Sequence, residues 1–130
     1  MSNALSIVQD AYACFGRGDI PALLQLLSPD VVWQFSGDRK APYTGRFSGR
    51  GQVGEWFACV AQADAIQAFE PREFLAGDDH VTVIGWERTQ ALPAGGLFEC
   101  EWVHVWQLRD GRITRFYGML DSEASAAARH

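Results

Sequence analysis

Chemistry in this chain is concentrated on one histidine in an unusual setting. From Leu97 to Arg109 the sequence alternates, so that Phe98, Cys100, Trp102, His104, Trp106 and Leu108 share one side of an extended strand. Leu97, Glu99, Glu101, Val103, Val105 and Gln107 take the other side. Exposing two tryptophans, a phenylalanine and a leucine would be costly, so the first side must face the interior. His104 is then an imidazole in an apolar wall, where desolvation by Trp102 and Trp106 lowers its pKa. Such a group can serve as a general acid or base near neutrality, or it can be a core histidine satisfied by a neighbouring group. Both uses remain open. Glu87 or Arg88, on the adjoining strand, is the candidate charged partner. Which of them faces inward depends on the length of the turn at Gly95-Gly96, because a one-residue change flips the choice.

Other chemistries find less support. His80 follows two aspartates at the start of a strand and His130 is the last residue, so both are expected in solvent, and no His/Glu spacing suggests a metal. Cys14, Cys59 and Cys100 are odd in number and widely separated, which fits reduced, mostly buried thiols. There is no Gly-x-Ser-x-Gly elbow for a hydrolase. Gly45, Gly49, Gly51 and Gly54 form no Gly-x-Gly-x-x-Gly after a strand, so no dinucleotide cofactor is expected. The net charge is −5, and the one basic cluster, Arg39, Lys40, Arg46 and Arg50, reads as a solvated loop. A nucleic-acid partner is therefore disfavoured.

The elements that must position His104 follow from periodicity. At 130 residues, with 48% hydrophobic and 21% charged, the chain is expected to fold as one domain over residues 1–130. No stretch is long enough to span a bilayer, and Met1 to Gln9 lacks the pattern of a secretory signal, so the cytoplasm is the expected location. Leu5, Val8, Ala11, Tyr12 and Phe15 make the stripe of a helix over Ala4–Phe15, stopped by Gly16 and Gly18. Asp19 caps a second helix over 19–27 with Pro21 in its first turn. Ser28-Pro29-Asp30 opens a strand over Val31–Ser36, and a Gly- and Arg-rich segment follows from Gly37 to Gly54. Val53, Trp56, Phe57 and Val60 mark a third helix over 52–63. Extended runs at 65–76, 81–91, 97–109 and 113–120 are separated by Asp78-Asp79, Pro93-Ala94-Gly95-Gly96 and Asp110-Gly111, turn signals that join antiparallel neighbours. Residues 121–130 read as a short helix or a frayed tail. The class is α+β, with helices on one face of a curved sheet.

Two passages carry a resemblance. Phe15-Gly16-Arg17-Gly18-Asp19 leads into Leu23-Leu24-Gln25-Leu26-Leu27-Ser28-Pro29-Asp30-Val31-Val32-Trp33, and later comes Trp102-Val103-His104-Val105-Trp106-Gln107-Leu108-Arg109-Asp110-Gly111-Arg112-Ile113. In order and spacing the chain resembles, over about residues 5–121, the SnoaL-like, ketosteroid-isomerase-like proteins of the nuclear transport factor 2-like superfamily. The resemblance implies a cone: three helices in the N-terminal half wrapped by a strongly bent, mostly antiparallel sheet around a pocket. Homodimers are common among its members, which implies a dimer packed sheet to sheet. Members include isomerases, dehydratases, polyketide cyclases, epoxide hydrolases and proteins that only bind, so the fold leaves function open.

Residue by residue, the resemblance places the general base of the ketosteroid isomerases at Gln34. An amide cannot shuttle a proton, so that activity is not expected here. The second aspartate of the isomerases falls at His104, and their tyrosine lies nearest to Tyr12. The expected pocket wall combines Cys100, Trp102 and His104 with Phe116, Gly118 and Leu120 from the next strand. Gln34, Tyr12 and Phe15 join it through the resemblance, and Trp56 is the further tryptophan assigned to it. Such a wall suits a small apolar molecule. One reading is acid–base chemistry of an isomerase, cyclase or dehydratase kind centred on His104. The other is a non-catalytic binding or dimerisation module.

Overall fold

The computed structural model describes residues 3–129. Helix α1 (Ala4–Gly16) starts at Asn3, whose side chain accepts from the Ser6 amide, and stops before Gly18, whose φ is +72°. Asp19 caps α2 (Ile20–Gln25) by accepting from the Ala22 amide. This helix is shorter than the 19–27 expected, because β1 (Leu27–Ser36) already begins at Leu27 and includes Pro29. The glycine- and arginine-rich segment holds an unexpected strand, β2 (Gly45–Ser48), and α3 (Gly49–Ala63) begins three residues early. There follow β3 (Asp64–Ala76), β4 (His80–Ala91), β5 (Leu97–Arg109) and β6 (Arg112–Leu120). The last residues resolve to a helix, α4 (Ser122–Ala128), capped by Asp121.

All six strands form one sheet in the order β2-β1-β6-β5-β4-β3. The sheet is mixed: β1 pairs with β6 in parallel, and the other four pairings are antiparallel. Asp110 and Gly111, with φ of +53° and +78°, turn β5 into β6, as the Asp-Gly signal predicts. Register shifts at Ile66/Ala68 and Pro71/Glu73 interrupt the long β3–β4 pairing. The inner face of the sheet and the helices bury Val8, Leu23, Leu27, Val31, Val53, Val81, Val83 and Ile113 almost completely. No helix among the described residues is long and apolar enough to cross a membrane.

Candidate functional site

Strand β5 delivers the expected alternation: Phe98, Cys100, Trp102, His104, Trp106 and Leu108 are all buried. Two glycines let the rings lie flat on the sheet. A Cβ at Gly85 would meet Trp102 Cζ2 at 2.2 Å, and one at Gly118 would meet Phe116 Cζ at 2.7 Å. His104 stacks on Trp102 with centroids 4.0 Å apart and meets Phe116 edge-on at 4.8 Å. From α1, Tyr12 closes the other side.

The hydrogen bonds favour one tautomer. Trp106 Nε1 can only donate, and it does so to Tyr12 Oη at 3.0 Å. The phenol proton then has one acceptor among the described residues, His104 Nδ1, 2.7 Å away. With Nδ1 accepting, the ring proton sits on Nε2, which has no protein partner among the described residues. Burial drives the imidazole pKa down to about 3, in the direction expected from its apolar surroundings. It also raises the Tyr12 phenol far above its ordinary value, against the smaller lowering from Trp106. His104 is therefore neutral at pH 7, its basic nitrogen is occupied, and its remaining function is that of an N–H donor.

A second polar group lies at the opposite end of the same cavity. Tyr43 Oη donates to Asp64 Oδ2 at 2.6 Å, while Arg129 reaches Tyr43 Oη at 2.7 Å, Asp64 Oδ1 at 2.5 Å and the Ala63 carbonyl at 3.2 Å. The Arg129–Asp64 pair is almost wholly shielded from water. Beside it Glu87, 5% exposed, accepts from Thr89 Oγ1 at 2.5 Å and has no ion pair among the described residues. Its pKa is pushed up to about 7, first by burial and then by Asp64, against the lowering effects of Thr89 and Arg129. Burial and then Glu87 likewise raise the Cys100 thiol to about 11, which makes it a poor nucleophile.

Tyr12, Phe15, Trp33, Phe35, Tyr43, Trp56, Phe57, Asp64, Phe69, Glu87, Trp102, His104, Trp106, Phe116 and Leu120 are among the residues lining the cavity that joins the two ends. Its open volume is about 70 Å³, room for about five waters. Tyr12, Phe15, Trp56, Trp102, His104, Phe116 and Leu120 thus converge on one space. Two expected members do not. Gln34 points the other way, because Trp33 and Phe35, 1% and 6% exposed, take the inward positions of β1. The pairing of β1 with β6 jumps between Leu27 and Val32, so a count from Pro29-Asp30 loses the strand's parity. Cys100 faces inward but joins a separate small core with Ala91, Phe98 and Ala128.

Of the two candidate partners for His104, Glu87 is the inward one, while Arg88 lies on the outer surface and pairs with Glu99. Glu87 nevertheless does not partner His104. The step along β4 from Val83, opposite His104, to Glu87 covers about 13 Å. His80 is exposed beside Asp79, and His130 lies outside the described residues. Tyr43, Asp64 and Arg129 went unmarked in the sequence. Tyr43 lies in a segment without a helix or strand period, Asp64 at a helix–strand junction and Arg129 in the last residues of the sequence. Among the described residues, no three His, Cys, Asp or Glu side chains are gathered as a metal site would need.

The model of the SnoaL-like domain family matches residues 8–116. No curated protein matches the chain. Among solved structures, an NTF2-like protein from Burkholderia xenovorans is 28% identical, with TM-score 0.88 over 100% of this chain and 99% of its own. TerC, co-crystallised with polyporic acid, is 28% identical, with TM-score 0.82 over 95% of each chain. A candidate polyketide cyclase from Xanthomonas campestris shares the fold at 21% identity, with TM-score 0.79 over 98% of this chain and 96% of its own. A buried imidazole beside a helical tyrosine, inside a cone of bent sheet and helices, is thus set in a chain that belongs to the SnoaL-like family and has the NTF2-like fold.

Proposed function

We propose that this protein binds a small, largely apolar carbonyl compound in the cone, with the ligand's oxygen on His104 Nε2, and that it supports isomerase- or cyclase-type proton transfer there. The observation that carries this reading is the Trp106–Tyr12–His104 chain, which occupies Nδ1 and leaves His104 Nε2 as an N–H donor without a partner among the described residues. A neutral imidazole that donates to a carbonyl stabilises negative charge developing on that oxygen without itself gaining a proton. The indole N–H groups of Trp33 and Trp102, two further rings of the lining, are buried without a partner among the described residues and are closed off from the cavity. The co-crystal of TerC with polyporic acid supports a small organic ligand in this family.

The outer face of the sheet bears on assembly. Ile84, Val103, Val105, Tyr117 and Met119 lie there beside Glu101 and Gln107, a mixture suited to a partly polar interface with a second copy. Three unpaired thiols, Cys14, Cys59 and Cys100, accord with a reducing compartment such as the cytoplasm.

The ligand reading is tested by thermal shift and calorimetry with matched cyclic ketones and hydrocarbons. The ketones are expected to bind about tenfold more tightly than the hydrocarbons, consistent with one hydrogen bond in a dry site. His104→Phe should erase the difference while leaving the circular dichroism spectrum unchanged. Equal affinity for ketone and hydrocarbon in the wild-type protein would refute it.

A further inference from the structure

Glu87 has no role in the ligand reading given above, yet it is the most anomalous group on the cavity wall. It is a carboxyl in a mostly aromatic lining, with a single hydrogen bond among the described residues, from Thr89 to Oε2. The nearby buried cation does not serve it: Arg129 spends its donors on Asp64, Tyr43, Ser125 and the Ala63 carbonyl. Nor does Arg88, which pairs with Glu99 on the opposite face. A buried carboxyl normally acquires a full set of partners or is replaced by an apolar residue. Here the fold supplies one partner and leaves the other oxygen, Oε1, without one among the described residues.

Resting on the reading of the cone as a small-molecule pocket, we infer that Glu87 is a second ligand-anchoring residue. The ligand it selects is two-ended, with a carbonyl oxygen at His104 and a hydroxyl at Glu87. The two anchors are chemically complementary. His104 Nε2 only donates, so its end takes an acceptor. A carboxyl with a free oxygen accepts from a hydroxyl, and in its protonated form it can also donate to one, so its end takes a group capable of both. Between them the stacked rings of Trp102 and Phe69, 4.7 Å apart, and of Trp33 and Phe116, 4.0 Å apart, form flat apolar walls. The backbone positions of the anchors lie about 13 Å apart along the sheet, and both side chains extend inward from it. The open volume of the cavity limits the ligand to a single flat ring, so the class is a one-ring hydroxy-ketone with its oxygens at opposite ends.

The test uses one probe pair, acetophenone against 4-hydroxyacetophenone, measured by calorimetry on the full chain. In the wild-type protein the hydroxyl should tighten binding about tenfold. In Glu87→Leu that gain should vanish, while affinity for the plain ketone is kept or improved. Glu87→Gln retains a partner for Thr89 and should leave a reduced gain, which covers the case in which the leucine variant fails to fold. If hydroxylated and plain ketones bind the wild type alike, or if the gain survives both substitutions, Glu87 is not an anchor; the ketone site at His104 then stands unaffected. If neither ketone binds, this inference and the pocket reading fall together.

Discussion

His104 and Glu87 are buried ionisable groups displaced in directions that make their effects on stability oppose each other. Between pH 4.5 and 6.5 the unfolded chain carries a proton on His104 that the folded chain, with a pKa of about 3, does not. Stability due to His104 therefore rises with pH, by about 1.4 kcal/mol per pH unit, is fully present above 6.5, and is lost as the pH falls toward 3. Over the same window the folded chain holds a proton on Glu87, whose pKa is about 7, that the unfolded chain has released. Stability due to Glu87 is fully present below 4.5 and is lost as the pH rises through 7, with the opposite slope. Across their full ranges the two effects amount to about 5 and about 3 kcal/mol. In the wild-type protein they cancel between pH 4.5 and 6.5.

Single substitutions should unmask each slope. Glu87→Gln should gain about 3 kcal/mol relative to wild type on moving from pH 4.5 to 6.5, and His104→Gln should lose about as much. Urea unfolding of the three proteins at pH 4.5, 5.5, 6.5 and 7.5 measures this directly. The comparison is the variant-minus-wild-type difference, so carboxylates common to all three drop out. Parallel pH profiles for Glu87→Gln and wild type would refute the burial argument for Glu87, and parallel profiles for His104→Gln would refute it for His104.

Gly85→Ala places a methyl group against the Trp102 ring, 2.2 Å from Cζ2; a loss of about 1–3 kcal/mol and an altered near-ultraviolet circular dichroism spectrum are expected, and an unchanged melting curve would contradict this packing. Arg129→Ala leaves Asp64 buried without its cation and should cost about 3–5 kcal/mol in urea unfolding. A loss under 1 kcal/mol would mean that α4 does not hold Arg129 in place in solution. If the outer face of the sheet is a self-interface, sedimentation at tens of micromolar should give twice the 14.4 kDa chain mass, and Val103→Glu should shift it toward the monomer. A wild-type monomer would exclude that interface.

What could be read in advance was whatever obeys a short repeat. The period-two alternation of β5 places His104 inside because six consecutive inward positions agree. The three-four spacing of α1 brings Tyr12 to the same side as Val8 and Ala11, and the Asp-Gly signal marks the β5–β6 turn. Gln34 was misplaced because the irregular stretch between Leu27 and Val32 in β1 destroys parity, and parity is all that a strand pattern carries. β2 was missed because four residues are too few to display a period. The Tyr43–Asp64–Arg129 cluster joins residues 65 and 86 positions apart, and no local pattern encodes such pairing.

These placements also constrain where proton-accepting chemistry can reside. On β1 the inward positions are Trp33 and Phe35, so that strand offers the cavity no carboxylate. On β5 the inward imidazole is neutral and its Nδ1 is already bonded to Tyr12. Two carboxyl groups line the cavity among the described residues, Asp64 and Glu87. Asp64 is committed to Arg129 and Tyr43 through both oxygens. Among the described residues Glu87, held by Thr89 alone and with its pKa raised to about 7, is thus the wall carboxyl with an oxygen to spare for a ligand proton. A reaction in this cone that removes a proton from its ligand would draw on Glu87, on water or on a base the ligand brings with it. Loss of turnover in Glu87→Gln, with ligand binding retained, would separate the first of these routes from the other two.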